Sequence, residues 1–179
     1  MADDTSTPEP TAPSNDRDQL LQQERDIRAR LAGEPFDFES AQAIQNIYRA
    51  ASAVRVRAER ELLNEHGLTW GGFTMLWVLW VWGTMDSSSL AAECGVAKGT
   101  MTGMVTTLEK RGLVERNRDS DDRRRIEVEL TGDGRNLIAD LYPRFNKFEI
   151  ALTTGLTGEQ QAQLSSLLRQ IITNADEAI

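Results

Sequence analysis

Residues 87–114 read SSSLAAECGVAKGTMTGMVTTLEKRGLV, and residues 116–131 read RNRDSDDRRRIEVELT. In the first stretch the serines can cap a short helix over 88–94, Gly95 supplies a tight turn where a positive φ is cheap, and a second helix runs over 98–111 until Gly112 stops it. Leu90, Ala91, Val96, Met101, Val105 and Leu108 recur at spacings that pack the two helices together. Lys98, Gly99, Thr102, Gly103 and Thr106 are left on the outer face of the second. Two short helices joined by a glycine-containing turn form a helix-turn-helix. The period then changes from helical to alternating. Residues 113–117 and 125–130 read as two strands, the second with Ile126, Val128 and Leu130 facing inward. RDSDDRR (118–124) between them is too polar for anything but an exposed loop, so a hairpin with a basic tip follows the helices.

The flanks are helical. FTMLWVLWVW (73–82) is almost purely apolar, but a bilayer needs about twenty such residues, so a buried helix is expected and a membrane span is not. Trp77 and Trp80 are expected in the core, with Trp70 and Trp82 at its rim. Upstream, Ser40 is a plausible N-cap for a helix whose stripe is Ile44, Ile47, Tyr48, Ala51, Val54, Ala58 and Leu62, ending at Gly67. Downstream, Thr131 can cap a helix carrying Leu137, Ile138, Leu141, Phe145, Phe148 and Leu152. Thr157 with Gln160 resembles a capping box opening a last helix, striped by Leu164, Leu167, Leu168, Ile171 and Ile172. Stripes this long in a small domain need a surface to lie against, and a second subunit is one candidate. Residues 1–15, with three prolines, read as a disordered tail, and residues 16–37 as an accessory helix and linker.

The 179 residues carry 20 Lys and Arg against 28 Asp and Glu, a formal charge of −8 that taken alone argues against nucleic acid. The distribution reverses that reading. Residues 98–125 hold eight basic and five acidic side chains, while the segments on either side are acidic. One cysteine, Cys94, excludes an internal disulfide and a cysteine-rich zinc site, and one histidine, His66, excludes a multi-histidine metal site. No apolar leader opens the chain, so the expected location is the cytoplasm. A helix fits the major groove of B-DNA, where short polar side chains reach base edges. Lys98 and neighbouring cations can then compete for phosphates, and a hairpin bearing Arg118, Arg123, Arg124 and Arg125 can reach an adjacent minor groove.

LAAECGVAKGTMTGMVTTLEKRGLV followed by RNRDSDDRRRIEVELT resembles the MarR family of winged helix-turn-helix transcription regulators. The most specific match is the wing, with Asp119, Asp122 and Arg124 as D-x-x-D-x-R and then Val128, Leu130 and Thr131 as V-x-L-T. The resemblance covers roughly residues 38–179. It implies a mainly α fold with a small β-hairpin wing, in which a winged helix-turn-helix domain (67–131) is flanked by long dimerisation helices (38–66 and 132–179). It further implies that Arg124 enters the minor groove, that Asp122 holds the loop by an ion pair, and that Lys98, Thr100, Thr102, Gly103 and Thr106 lie on or beside the groove-facing surface. The partners implied are a second copy of the chain, a pseudo-palindromic double-stranded operator, and a small aromatic or lipophilic effector that releases a repressor from DNA. A subgroup with an added N-terminal helix answers to urate-like purines, but this chain has no tryptophan before Trp70 and has Thr74 after Phe73, which disfavours that ligand.

Other readings stand beside this one. Tyr48, Trp70, Phe73 and Trp77 line a pocket for a planar ligand or simply fill the core. Met75, Met101 and Met104 read as core filler. Cys94 reads as a small buried hydrophobe, against a redox-responsive regulator using its thiol. His66 sits at a helix end and has no catalytic role; no enzyme activity and no cofactor are expected. A winged helix used only for protein–protein contact is the remaining rival.

Overall fold

The computed structural model describes residues 21–118 and 126–177. Two compact units divide at Ala50, inside one continuous helix. In the first unit, α1 (Gln22–Arg30) is followed by the opening turns of α2 (Phe38–Ala58). Glu24 of α1 is buried, where it accepts hydrogen bonds from the Leu21 amide (2.7 Å) and from Asn46 Nδ2 (2.7 Å), with Arg49 at 3.6 Å. These donors, the Asn46 amide first, hold its carboxyl below the usual carboxylate range. Arg28 pairs with Glu39 (2.7 Å) and lies over the Phe38 ring. The cap of α2 is Asp37 rather than Ser40: its carboxylate accepts from the Ser40 amide (2.9 Å) and hydroxyl (2.8 Å). The expected tail at 1–15 lies outside the described residues.

In the second unit, α2 ends in a π turn (Glu59–Leu63) and a 3₁₀ turn (Asn64–His66) that Gly67 terminates. The apolar run is α3 (Trp70–Trp82), capped by Thr69, whose hydroxyl accepts from the Gly72 amide (3.2 Å). Next come β1 (Met85–Asp86), α4 (Ser87–Glu93), α5 (Lys98–Lys110), β2 (Val114–Arg118), β3 (Ile126–Leu130), α6 (Gly132–Leu152) and α7 (Gly158–Glu177). The strands form an antiparallel sheet in the order β1-β3-β2, registered Met85 to Val128, Val114 to Leu130 and Arg118 to Ile126. The fold is a winged helix-turn-helix with long helical flanks. Two-residue β1 was missed because a strand so short leaves no alternation to read.

Helix α3 packs against α4, α5, α6 and β3, and the core gathers around it: Met75, Leu76 and Leu79 meet Leu90, Met101, Val105, Val128, Ile138 and Leu141, all essentially inaccessible to solvent. Of its tryptophans, Trp70 and Trp77 are only partly buried, Trp80 is 36% exposed and Trp82 65% exposed. The expected core position of Trp80 is therefore corrected. Where every position is apolar, periodicity cannot say which side faces in. Ile126, expected inward, is 48% exposed, because it opens β3 at the far end of the sheet from the buried Val128 and Leu130.

Where the hairpin returns to helix, the backbone is crowded. Thr131 donates its amide to the Leu113 carbonyl (3.2 Å) and its hydroxyl to the Gly112 carbonyl (2.6 Å), and that hydroxyl accepts from the Gly134 amide (3.0 Å). A Cβ on Gly134 would stand 1.9 Å from the Leu113 carbonyl oxygen, whereas one on Gly132 would meet nothing. Gly134→Ala is accordingly expected to cost about 3 kcal/mol of stability, at the upper end of overpacking penalties, by urea unfolding, with Gly132→Ala close to wild type. Equal midpoints for the two variants would contradict the close approach.

Candidate nucleic-acid interface

Helix α4 is capped by Asp86, whose carboxylate accepts from the Ser88 amide (2.9 Å), the Ser89 amide (3.1 Å) and the Ser89 hydroxyl (2.7 Å). The serines expected as caps are instead the first helical residues. Gly95 turns the chain at φ +64°, and α5 begins at Lys98. The residue before it, Ala97, offers no side-chain cap. α3, α4, α6 and α7 each start on a side chain that accepts a backbone amide, from Thr69, Asp86, Thr131 and Thr157 respectively. The first amides of α5 thus have no side-chain acceptor, at the positive end of the helix dipole, and exposed Lys98 is the first helical residue.

Lys98, Thr100, Thr102 and Gly103 are exposed on α5, and Thr106 is half-buried. Thr102 and Thr106 donate their hydroxyls back to the Lys98 carbonyl (3.1 Å) and the Thr102 carbonyl (2.9 Å). Gly99 and Gly103 have open space where a Cβ would be, so packing does not require glycine at either position. Gly103, in the helix interior, nevertheless costs roughly 0.5–1 kcal/mol relative to alanine. The outer face is therefore low, polar and positively charged at its start. Of the hairpin candidates, Arg118 closes β2 opposite Ile126. Asp122, Arg123, Arg124 and Arg125, with Asp119, lie outside the described residues.

Two arginines escaped the sequence reading. Arg116 projects its guanidinium onto α5, donating to Glu109 (2.9 Å), to the Thr106 hydroxyl (2.7 Å) and to the Thr102 carbonyl (3.3 Å). Standing two residues on from buried Val114, it shares that residue's face of β2, which was the available signal. Arg111, the C-cap of α5, donates to the carbonyls of Gly67 (2.7 Å) and His66 (2.5 Å), fixing the helix to the turn before α3. Both arginines brace the helix that carries Lys98.

A second feature lies away from α5. Trp70, Phe73 and Trp77 come together around a cavity of about 250 Å³, joined by Val54, Thr74, Tyr142, Phe145 and Glu149. Phe73 and Phe145 are 4.5 Å apart between ring centroids, and Trp77 stacks on Tyr142 at 6.5 Å. Tyr48 belongs to the first unit, where its ring is 74% exposed. From α6, Phe145 reads as part of the helix stripe, and Tyr142 and Glu149 are not singled out in the sequence.

Cys94 is partly buried, and desolvation followed by the neighbouring Glu93 charge pushes its thiol up to about 11. That is the opposite of an activated thiolate. His66 and Arg144 both meet Glu65, and the Arg144 hydrogen bond holds that carboxyl below its usual range. Among the described residues no cluster of three His, Cys, Asp or Glu could hold a metal ion, and no helix is long and apolar enough to cross a membrane.

Replacing Arg116 with Met should remove the brace while keeping much of the aliphatic stem. A loss of about 1–2 kcal/mol in denaturant unfolding is expected, with faster amide exchange along α5 and β2. Unchanged exchange in α5 would show that the fork does not hold it.

Residues 68–126 match the model of the MarR family. The uncharacterized HTH-type transcriptional regulator YwaE of Bacillus subtilis (strain 168) is 35% identical over 164 residues, covering 90% of this chain and 96% of its own length. Among solved structures, the transcriptional regulator PA4135 matches with a TM-score of 0.64 and 26% identity over 74% of this chain and 95% of that one. NadR in complex with 4-hydroxyphenylacetate matches with a TM-score of 0.61 and 28% identity over 70% and 89%. With the winged helix-turn-helix, the family match across it and a relative similar over nearly its full length, this chain belongs to the MarR family of transcriptional regulators, which are not enzymes.

Proposed function

We propose that the protein is a homodimeric, sequence-specific repressor of the cytoplasm that reads a pseudo-palindromic operator and is released by a small aromatic or lipophilic effector. The observation that carries DNA binding is the outer face of α5: first amides without a side-chain acceptor, Lys98, exposed Thr100 and Thr102, and two glycines that packing does not require. A low polar helix face admits close approach to base edges, while the N-terminal charge meets phosphate. Arg124 is assigned to the minor groove and Asp122 to holding its loop, on the strength of the D-x-x-D-x-R pattern.

Dimerisation rests on α7. None of its twenty residues is buried, yet Leu164, Leu167 and Ile172 present an apolar stripe between 47% and 60% exposed. An apolar helical face of this length marks a contact with another molecule, and a two-fold partner presents the same face in return. The effector reading rests on the cavity around Trp70, Phe73 and Trp77, and on a relative, NadR, that holds 4-hydroxyphenylacetate. The raised thiol of Cys94 gives no support to a redox-responsive alternative.

Two experiments test this reading. Arg124→Ala should weaken operator binding at least tenfold in gel shifts while the melting temperature holds; unchanged affinity would overturn the wing assignment. Gly103→Ala should raise helix stability by roughly 0.5–1 kcal/mol and still weaken operator binding. A variant that is both more stable and equally tight would remove α5 from the interface.

A further inference from the structure

The aromatic cavity has a charge character, and it is negative. Of the eight residues that line it, five are aromatic, Val54 is aliphatic, and only Thr74 and Glu149 carry oxygen-bearing polar groups besides the Tyr142 phenol. The Thr74 hydroxyl is spent on the Trp70 carbonyl (2.9 Å). Glu149 is the single carboxylate of the lining. It accepts one hydrogen bond from Asn146 Nδ2 (3.1 Å) and makes no ion pair with any described residue, so most of its acceptor capacity is open. No lysine or arginine lines the cavity. On the flanking helices of this unit, Arg144 is engaged with Glu65 and His66, and Arg57 with Glu61 at 3.0 Å and over the Phe148 ring, while Arg55 and Lys147 stand outside the lining.

Aromatic faces present the negative side of their quadrupole to a ligand, and tryptophan does so most strongly. Indole, phenol and benzyl rings around a carboxylate are the chemistry that binds an organic cation. An anion placed there would meet the Glu149 carboxylate with no basic side chain in the lining to offset it. At about 250 Å³ the space falls below the range of about 300–1,000 Å³ usual for drug-sized ligands, which restricts the occupant to one or two rings.

We propose that the effector of this protein is a small aromatic cation, a quaternary ammonium or protonated amine on a one- or two-ring body, held by Trp70, Trp77 and Tyr142 with Glu149 as its counter-ion. The assignment rests on reading this cavity as the effector site, and it separates this chain from NadR, whose ligand 4-hydroxyphenylacetate carries a carboxylate.

Three probes of similar size decide it on the full-length protein: benzyltrimethylammonium, benzyl alcohol and phenylacetate, titrated by tryptophan fluorescence and then added to a preformed protein–DNA complex in gel shifts. The cation is expected to bind at least tenfold more tightly than phenylacetate and to release DNA at the lowest concentration. Glu149→Gln should weaken the cation about three- to tenfold and leave benzyl alcohol unaffected, and Glu149→Lys should invert the order of cation and anion. Each variant is referred to its own ligand-free DNA affinity. Tighter binding and DNA release by phenylacetate would overturn the charge assignment and leave the effector site standing. Binding of none of the three, or binding of all three without DNA release, would overturn the effector site and the charge assignment with it.

Discussion

A helix that is apolar on every side must bury most of its length, and α3 is such a helix, exposed only in its last turn. Its burial dictates the second unit. α4, α5, α6 and β3 all pack against it. Each of those elements brings a narrow apolar stripe of its own, so each can bury only one face and must leave the other wet. For α5 the wet face is the one bearing Lys98, Thr102 and Gly103. The tryptophans that the core cannot accommodate, Trp80 and Trp82, are left at the surface, and Trp70 and Trp77 become walls of a cavity. Surface, cavity and core are therefore consequences of one packing requirement.

The second constraint is the placement of α5 relative to the hairpin. Arg111 anchors its C-terminal end and Arg116 lies along it from Thr102 to Glu109, through carbonyls, a hydroxyl and a carboxylate, and the crowded junction of Leu113, Thr131 and Gly134 fixes the sheet to α6. Within this rigid frame α5 itself is built against its own stability. It lacks a cap, it carries glycines in open positions, and its threonines turn back to their own helix. Local weakness with no structural benefit is a mark of a working surface.

Much of this was legible in the sequence because the informative segments alternate sharply between apolar and polar. The helix-turn-helix could be located from Leu90, Val105 and Leu108 around Gly95, and the capping residues Thr131 and Thr157 stand where their hydroxyls bond. What escaped did so for physical reasons. Asp37 and Asp86 took capping roles from nearby serines because a carboxylate can serve two or three donors at once. Trp80 was misplaced because an all-apolar helix has no phase. Arg116 and Glu149 were invisible as functional groups because their meaning lies in side chains that the fold, and not the chain order, brings beside them.

In the proposed function, two copies of α5 enter successive major grooves of one duplex. Hydroxyl-radical footprinting on a DNA fragment selected by the purified protein measures this directly. The account predicts two protected segments on one face of the duplex, with centres about 10–10.5 base pairs apart, that vanish together as salt is raised. A single protected segment, or an unprotected duplex at low ionic strength, would contradict it.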